Sequence, residues 1–362
     1  MNPHPVEAGD ALARLREFEA VLDVRSPGEF ALDHLPGAAN WWVLDDAERA
    51  RVGTLYKQQG AFEAKRLGAA LVARNIALHL ERSGQSWPRR QRVLVYCWRG
   101  GNRSGAMAHV LAQIGFPVSL VQGGYKALRA ALVERLAGLA EAQRLVVVCG
   151  PTGSGKSRLL LALQARGAQV LDLERLAAHR GSVLGAMADE AQPSQKAFET
   201  RIWERMRDFD PLRPVFVESE SRRIGRLQVP PALIERMRAA ECLRLQAEPE
   251  VRVQVLLGDY ADMRADPEEL QRRLRTLHEL RGAQAVARWQ RMAAAGEFAE
   301  LTRELLAQHY DPSYAASMQR NYQQFAQAAS MQVAHTEAFE ELAARVQRHF
   351  DPADAAARVQ PA

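Results

Sequence analysis

The sequence predicts an α/β fold made of two parallel-sheet domains, the second carrying a helical insertion. Short runs of branched apolar residues alternate with segments of helical spacing, which is typical of parallel sheets covered by helices. One such run, LVVVC, leads directly into the glycine-rich turn GPTGSGKS near the middle of the chain. A length of 362 residues is enough for two domains, each with its own core.

The first predicted domain covers residues 1–128. AVLDV, at residues 20–24, predicts a short buried strand, and the turns RSPGEF and HLPGAAN follow it. A helical stretch near residues 61–80 precedes RVLVYC, a predicted strand that ends in Cys97. The helical pattern GAMAHVLAQIG and a strand and turn at residues 117–125 complete the domain. This alternation predicts a parallel sheet with helices on both faces.

Cys97 has the surroundings expected of a reactive cysteine. It stands at the carboxyl end of a strand, where Gly100 and Gly101 allow backbone N–H groups to converge and Arg99 and Arg103 add positive charge. These features favour the thiolate and predict a lowered pKa for Cys97. Such a thiolate can carry a transferable sulfur or selenium atom. A buried structural cysteine is the alternative.

Three motifs of this half resemble the rhodanese (sulfurtransferase) family. DVRSPGEF resembles its first signature, HLPGAAN its second and YCWRGGNRS its active loop. The resemblance implies a rhodanese-like fold in which Cys97 carries a persulfide or selenide. The spacing of Cys97 and Arg103, with five residues between them, also occurs in cysteine phosphatases of related fold, so phosphatase chemistry stays open. Tyr96 stands before the cysteine, where no histidine precedes it.

Residues 129–142 form a predicted helical connector with a continuous apolar face, and residues 143–362 form the second domain. AQVLDLE, at residues 168–174, predicts a strand that ends in Asp172 and Glu174, and PVFVESES predicts the next. Residues 267–327 read as helices without strands. The pattern predicts a P-loop NTPase-like α/β domain with a helical insertion, similar in outline to the small-molecule kinases.

The turn GPTGSGKS has the strand before it and the helix after it that a phosphate-binding loop requires. Its glycines let backbone N–H groups point at one spot, and the helix N-terminus adds positive potential there. Lys156 is expected to bridge the outer phosphates and Ser157 to hold Mg²⁺. The residues predicted to bind a diphosphate are Gly150, Thr152, Gly153, Ser154, Gly155, Lys156 and Ser157.

Two carboxylates are candidates for the Mg²⁺ partner or an acid/base group. Glu218 ends the strand PVFVE, where a P-loop protein usually has its acidic metal partner, and Asp172 is the second candidate. A salt bridge from Glu218 to Arg222 or Arg223 is the alternative. No reliable adenine-recognition signal is present, so the sequence supports a diphosphate ligand better than it supports ATP.

Two arginine groups and one aromatic segment are further candidates. Arg222, Arg223 and Arg226 are candidates to line the ligand mouth. Candidates for contact with an RNA backbone are Arg272, Arg273 and Arg275, for which a solvated helix face is the favoured interpretation. HYDPSY, at residues 309–314, has the aromatic residues to stack a base, although an inter-helix contact is commoner.

The fusion of these two halves resembles the tRNA 2-selenouridine synthase family, and the likeness includes LDLERLAAHRGSVLG, SQKAFE, VFVESESRRIG and HYDPSY. It implies a transferase that replaces the sulfur of wobble 2-thiouridine in tRNA by selenium from selenophosphate, through an S-geranylated intermediate made from geranyl diphosphate. No tightly bound organic cofactor is implied beside Mg²⁺. The residues implied for selenophosphate binding are Arg99, Gly100, Gly101, Asn102, Arg103 and Ser104.

Composition is compatible with this interpretation. The net charge of +5 permits an anionic partner such as tRNA. The three cysteines match no zinc or disulfide spacing, and no apolar run approaches a membrane-spanning length, so we expect a cytoplasmic protein without membrane contact. Two alternatives stay open: an ATP-dependent tRNA sulfurtransferase, and a phosphatase-like module that binds an anion. The oligomeric state is not predicted.

Overall fold

A computed structural model describes residues 2–182, 184–187, 190–335 and 339–351. Val183, inside the segment LDLERLAAHRGSVLG, and residues 352–362, predicted as the end of the second domain, lie outside the described residues. The chain divides into two compact units, Met1–Leu136 with Glu199–Glu204, and Ala137–Phe198 with Arg205–Ala362. Among the described residues, no helix combines the length and the apolar character needed to cross a membrane.

The first unit is built on a five-stranded parallel sheet. Its strands are β1 (His4–Val6), β2 (Ala20–Asp23), β3 (Ala38–Asn40), β4 (Val93–Tyr96) and β5 (Val118–Val121), in the order β1-β5-β4-β2-β3. Its helices are α1 (Ala8–Ala13), α2 (Pro27–Leu32), α3 (Asp46–Gln59), α4 (Ala61–Arg82), α5 (Asn102–Ile114) and α6 (Gly124–Ala142). All strand pairs in this sheet are parallel. The core includes Val93, Val95, Met107 and Leu111, all fully buried.

Local signals fix where these helices begin. Ser26 and Glu29 form a capping box at the start of α2, and Asp45 and Glu48 form another at the start of α3. Each box satisfies backbone N–H groups that a helix start otherwise leaves unpaired. The first box lies in the segment RSPGEF, so the predicted turn also includes the beginning of a helix.

The second unit has its own five-stranded parallel sheet, in the order β12-β11-β6-β8-β7. The strands are β6 (Arg144–Cys149), β7 (Gln169–Leu171), β8 (Pro214–Glu218), β9 (Arg223–Ile224), β10 (Leu227–Gln228), β11 (Glu241–Ala247) and β12 (Ala329–Val333). β9 and β10 pair separately as a short antiparallel hairpin. β6 is the middle strand, and its residues from Leu145 to Cys149 are buried, as expected for a strand covered on both faces.

The helices of the second unit are α7 (Lys156–Ala165), α8 (Leu173–Leu176), α9 (Gln195–Met206), α10 (Pro231–Ala239), α11 (Pro249–Asp259), α12 (Ala261–Ala265), α13 (Pro267–Arg275), α14 (His278–Arg281), α15 (Ala283–Ala295), α16 (Phe298–Leu305), α17 (Asp311–Asn321) and α18 (Phe339–Phe350). A π-helical turn, Leu306–Tyr310, joins α16 to α17. Trp289 is fully buried in a separate apolar core formed by the insertion helices.

The predicted α/β fold with two parallel sheets is confirmed. The predicted extent of the strand at residues 168–174 is wrong, because β7 ends at Leu171. Asp172 accepts a hydrogen bond from the backbone N–H of Arg175 at 2.8 Å and caps α8, which contains Glu174. An Asp at this position favours a helix start over a longer strand.

Candidate functional site

Cys97 follows β4 at the carboxyl edge of the first sheet, between β2 and β5. Its thiol accepts two hydrogen bonds, from the Ser104 hydroxyl at 3.1 Å and from the Gly101 N–H at 3.4 Å. Burial by itself raises the pKa of Cys97, but these hydrogen bonds and the charge of Arg103 outweigh it, and the net pKa is lowered. The thiolate is thus favoured by donors placed on one loop and one helix start.

The conformation of the loop after Cys97 is set by close backbone contacts with the segment that follows β5. Gly100 has φ +66, and a Cβ there would lie 2.9 Å from both the Val121 carbonyl oxygen and the Gly123 nitrogen. The Cys97 carbonyl accepts a hydrogen bond from the N–H of Tyr125 at 2.7 Å. A residue other than glycine at position 100 would therefore displace the loop that presents the donors to Cys97.

The charged residues of this loop differ in their contacts. Arg103 donates to Oε2 of Glu29 at 3.0 Å and is only 22% exposed, so a carboxylate of the RSPGEF segment holds it. Arg99 is exposed. Asn102 begins α5, and Ser104 in the first turn of this helix donates the hydrogen bond to the Cys97 thiol. The structure thus brings Gly101, Arg103 and Ser104 to Cys97.

The phosphate-binding loop joins β6 to α7 in the middle of the second sheet. Lys156 donates to the Gly150 carbonyl at 2.9 Å and spans the loop. Gly155 has φ +83 and precedes α7, and a Cβ there would collide with the Phe339 ring. The Lys156 side chain thus crosses the loop and binds the backbone at its start. Only glycine fits the position before Lys156.

An ion pair between α11 and α17 also holds this loop. Arg252, which is buried, donates to the Thr152 carbonyl at 2.9 Å and forms a two-pronged ion pair with Asp311 of α17. Ser154 is fully buried, and its hydroxyl has no hydrogen-bond partner in the part of the chain that the structure describes. A loop tied to two helices loses little freedom on binding an anion.

Four carboxylates gather beside the loop, where β7 and β8 end. Glu174 Oε2 accepts from the Ser157 hydroxyl at 3.1 Å, and Glu218 Oε1 accepts from the backbone N–H of Glu174 at 2.7 Å. Glu220 is hydrogen-bonded to Glu174, and Asp172 lies close enough to interact with Glu218. Glu218 and Glu220 are 1% and 9% exposed, so this negative charge is poorly hydrated.

The pKa values reflect this crowding. Burial raises the pKa of Glu218 well above its usual range, and the neighbouring carboxylates of Asp172 and Glu174 raise it further. Burial also raises the pKa of Glu174, although the charge of Lys156 opposes the shift. A group of carboxyls that resists ionisation is a favourable place for a cation or a proton transfer.

Mg²⁺ suits these donors. Within the described ranges, no group of three or more His, Cys, Asp or Glu residues is arranged to hold a metal by itself. The Ser157 hydroxyl lies among carboxylates, and Glu218 Oε2 is buried without a partner among the described residues, so hard oxygen donors are present where a diphosphate would supply the rest. The alternative considered for Glu218, a salt bridge to Arg222 or Arg223, is wrong, since Glu218 Oε1 accepts a hydrogen bond from the backbone N–H of Glu174.

A cavity of about 780 Å³ opens in front of the loop. Thr152, Gly153, Gly155, Lys156 and Ser157 line it, together with Asp172, Glu174, Glu220, His309, Tyr310 and Tyr314. The placement of Arg222, Arg223 and Arg226 at its mouth is wrong, because none of these three lines it and Arg226 instead contacts the Gln192 carbonyl.

The aromatic segment and the insertion arginines can now be placed. Segment HYDPSY makes the inter-helix contact considered for it, because Asp311 pairs with Arg252. Tyr310 and Tyr314 line the cavity, and base stacking by these rings stays a prediction. Arg272 and Arg273 pair with Glu269, which agrees with a surface helix stabilised by ion pairs.

Two residues of the site are absent from the sequence-based candidate list. Glu174 falls on α8 rather than at a strand end, and Glu220 follows β8 by two residues. The segment ESES after the apolar run PVFV is the signal that identifies Glu220, since polar residues beyond a parallel strand collect at the ligand edge.

Comparisons with known proteins match both halves. The family described as "tRNA 2-selenouridine synthase AAA domain" matches residues 143–280, and the rhodanese-like domain family matches residues 7–131. A tRNA 2-selenouridine synthase of Nitrosomonas europaea is 37% identical over 66% of this chain and 63% of its own length. The alignment thus spans just under two thirds of that relative.

Two further relatives extend this match. The tRNA 2-selenouridine synthase of Nitrosomonas eutropha is 36% identical over 72% of this chain and 68% of its own length. That of Alcanivorax borkumensis is 33% identical over 84% of this chain and 91% of its own length. Both halves, with a loop-bound thiol in one and a phosphate-binding loop in the other, are accounted for by one family. The chain therefore belongs to the tRNA 2-selenouridine synthase family.

Proposed function

We propose that this protein replaces the sulfur of 2-thiouridine at the wobble position of tRNA by selenium, using selenophosphate and geranyl diphosphate. The observation that carries the proposal is the Cys97 thiol, held by Ser104 and Gly101 in a chain that also has a complete phosphate-binding loop. The names of the relatives support tRNA as the substrate. Reaction with tRNA implies a cytoplasmic protein.

The second unit is the proposed site of geranyl transfer. Sulfur on an aromatic-like carbon is a poor leaving group, and alkylation converts it to a thiol that leaves more easily. The base sulfur forms a bond to the first carbon of the geranyl chain, and the electron pair of the broken C–O bond departs with the diphosphate. Lys156, Ser157 and the loop N–H groups stabilise that developing charge. Bound Mg²⁺ would supply further charge neutralisation.

The first unit is the proposed site of selenium handling. The lowered pKa of Cys97 provides a nucleophile that takes the phosphoryl group of selenophosphate and presents its selenium as selenide, with no change of oxidation state. Arg99 and the N–H groups of the loop, with Arg103, offer charge and hydrogen bonds to the selenophosphate anion. The selenide then bonds to the base carbon, geranyl thiol leaves with the electrons of the carbon–sulfur bond, and water releases the phosphoryl group from Cys97 as phosphate.

The full-length protein, incubated with 2-thiouridine tRNA, geranyl diphosphate, selenophosphate and Mg²⁺, tests this proposal by mass spectrometry of the digested nucleosides. We expect the wild type to form both S-geranyl-2-thiouridine and 2-selenouridine. Lys156→Ala should slow geranyl transfer by about 100-fold or more, because a preorganised cation is lost. Cys97→Ala should keep geranyl transfer and lose selenation.

Lys57→Ala, at a lysine on α3, is the control and should behave as the wild type. Geranyl transfer that survives Lys156→Ala while selenation stops would reverse the two assignments. ADP or AMP released in proportion to modified base would replace the proposal by an ATP-dependent sulfurtransferase.

A further inference from the structure

A second, smaller cavity of about 70 Å³ lies next to the phosphate-binding loop. Helices α11, α13 and α16 enclose it with Leu256, Leu257, Leu270, Leu301 and Leu305, and Phe298 lies at the start of α16. Four residues, Thr152, Leu256, Tyr260 and Tyr310, line both this cavity and the larger one. The two cavities are therefore neighbours, and Thr152 belongs to the phosphate-binding loop itself.

The lining of the small cavity favours a hydrocarbon. Arg264, which is exposed, is the single charged residue among the described residues that line it. The Tyr260 hydroxyl is within hydrogen-bond distance of the Ser182 hydroxyl, at 3.1 Å, so its hydrogen bonding is met outside the cavity. A ribose or a nucleobase would leave its polar atoms unpaired against leucine side chains, which is costly. The cavity thus selects against the nucleoside part of ATP.

The size of the cavity sets the length of chain that fits. A group as large as a water molecule needs about 10–15 Å³ of such space, so a cavity of about 70 Å³ holds about five to seven groups of methyl size. One isoprene unit has about five carbons and matches this volume. Protein cores seldom keep spaces of this kind without a ligand, because close packing is favoured.

From these observations we propose that the small cavity binds the terminal isoprene unit of the prenyl diphosphate and limits the chain to two units. The inference rests on the proposed function, in which the loop holds the diphosphate of the same molecule. The first isoprene unit then lies between Tyr260 and Tyr310, at the passage between the cavities. A chain of three units would place its last unit beyond this apolar lining.

Thr302→Phe tests this directly, because Thr302 lines the small cavity, is half-buried, and uses its hydroxyl for a hydrogen bond to the Phe298 carbonyl of its own helix at 2.7 Å. The full-length protein is titrated calorimetrically with dimethylallyl, geranyl and farnesyl diphosphates, and with inorganic pyrophosphate. Each carbon group removed from burial weakens affinity about fourfold. We expect geranyl diphosphate to bind at least about tenfold more weakly, while pyrophosphate and dimethylallyl diphosphate keep their affinity.

Phe298→Ala is the opposite variant, which enlarges the cavity. It should raise affinity for farnesyl diphosphate relative to geranyl diphosphate by about tenfold, and it keeps the test informative if Thr302→Phe fails to fold. Thr276→Phe is the matched control, since Thr276 is exposed, also donates to a carbonyl of its own helix, and lines neither cavity. It should bind all four compounds as the wild type does.

Two failures can be told apart with the wild-type protein. If the wild type transfers geranyl to tRNA but Thr302→Phe and Phe298→Ala leave the preference among chain lengths unchanged, the cavity assignment alone is overturned. Equal weakening of all four compounds in Thr302→Phe would overturn it as well. If the wild type transfers no geranyl group, the geranyl step of the proposed function falls, and the inference falls with it.

Discussion

At the scale of single residues, the reactivity of Cys97 depends on two donors. Burial opposes ionisation of this thiol, whereas Ser104 and Gly101 favour it by hydrogen bonding to sulfur. The hydroxyl of Ser104 is the closer donor, and it also lies 3.3 Å from the Gly101 carbonyl oxygen of the loop. The pKa of Cys97 is therefore open to a direct test.

Ser104→Ala should raise the pKa of Cys97, because the hydrogen bond that stabilises the thiolate is lost while burial remains. The rate of Cys97 alkylation by iodoacetamide, followed by mass spectrometry of its peptide, should then rise at a higher pH than in the wild type. A charge-assisted hydrogen bond of this kind contributes about 1.5–3 kcal/mol, or about one to two pH units. Ser86→Ala, at an exposed serine, is the control. An unchanged pH dependence would show that Ser104 does not support the thiolate.

The sequence predicted the placement of these residues around Cys97 better than it predicted their partners. Cys97, Gly101 and Arg103 follow from a strand end, a glycine loop and local charge, which are all read within a few positions. The pairing of Arg103 with Glu29 joins segments 74 positions apart, and no local pattern encodes it. Glu174 and Glu220 were not predicted as site residues for a similar reason. Their approach to the phosphate-binding loop depends on how β7 and β8 align in the sheet.

At the scale of elements, the ends of β7 and β8 concentrate negative charge beside the phosphate-binding loop. Parallel strands deliver the residues that follow them to one edge, so Asp172, Glu218 and Glu220 converge although they are distant in sequence. In the free protein, burial makes ionised carboxylates unfavourable there. This arrangement weakens the fold in order to hold a cation or a proton near the ligand.

Glu218→Gln should therefore stabilise the free protein at neutral pH. The pKa of Glu218 is higher in the folded protein than in the unfolded chain, where it is about 4.3. Protonated Glu218 therefore contributes its full stability below about pH 4.3, and this contribution is lost as pH rises through the folded pKa. Glutamine keeps an oxygen for the Glu174 N–H and does not ionise. Calorimetry should give a Tm higher by about 2–4 °C for each 1 kcal/mol recovered, with no gain near pH 4.

Glu235→Gln, at an exposed position on α10, supplies the comparison and should change the Tm little at any pH. A Tm for Glu218→Gln at or below the wild-type value at neutral pH would mean that ionisation of Glu218 does not destabilise the folded protein. The same variant should bind Mg²⁺ with diphosphate more weakly, because glutamine cannot ionise to supply an anionic oxygen when the cation binds.

Periodicity predicted the existence and type of these elements, but their limits less well. The alternation of apolar runs and helical segments is enough to predict two parallel sheets, which the structure confirms. The predicted end of β7 is wrong because LDLE, at residues 171–174, alternates apolar and polar residues as a strand does, whereas Asp172 caps a helix that begins at Leu173. The small apolar cavity is formed by packing among α11, α13 and α16, which local spacing does not reveal.

At the scale of the whole molecule, each compact unit has a glycine-containing loop at the carboxyl edge of a parallel sheet. One loop presents a thiol and the other presents a lysine, so the two proposed chemical steps use different residues. The net charge of +5 permits the proposed tRNA substrate, whose binding should weaken as salt increases. If geranyl transfer and selenation are chemically separate, tRNA that already carries S-geranyl-2-thiouridine should be a substrate for selenation without a further geranyl transfer.

Lys156→Ala supplied with tRNA that already carries S-geranyl-2-thiouridine should therefore form 2-selenouridine from selenophosphate at a rate within about threefold of the wild type. The reason is that the missing cation acts on a diphosphate that this reaction no longer contains. Cys97→Ala should leave the same RNA unchanged, and nucleoside mass spectrometry distinguishes the two results. The wild type on the geranylated RNA is the positive control. A Lys156→Ala protein that fails where the wild type succeeds would mean that the phosphate-binding loop also takes part in selenation.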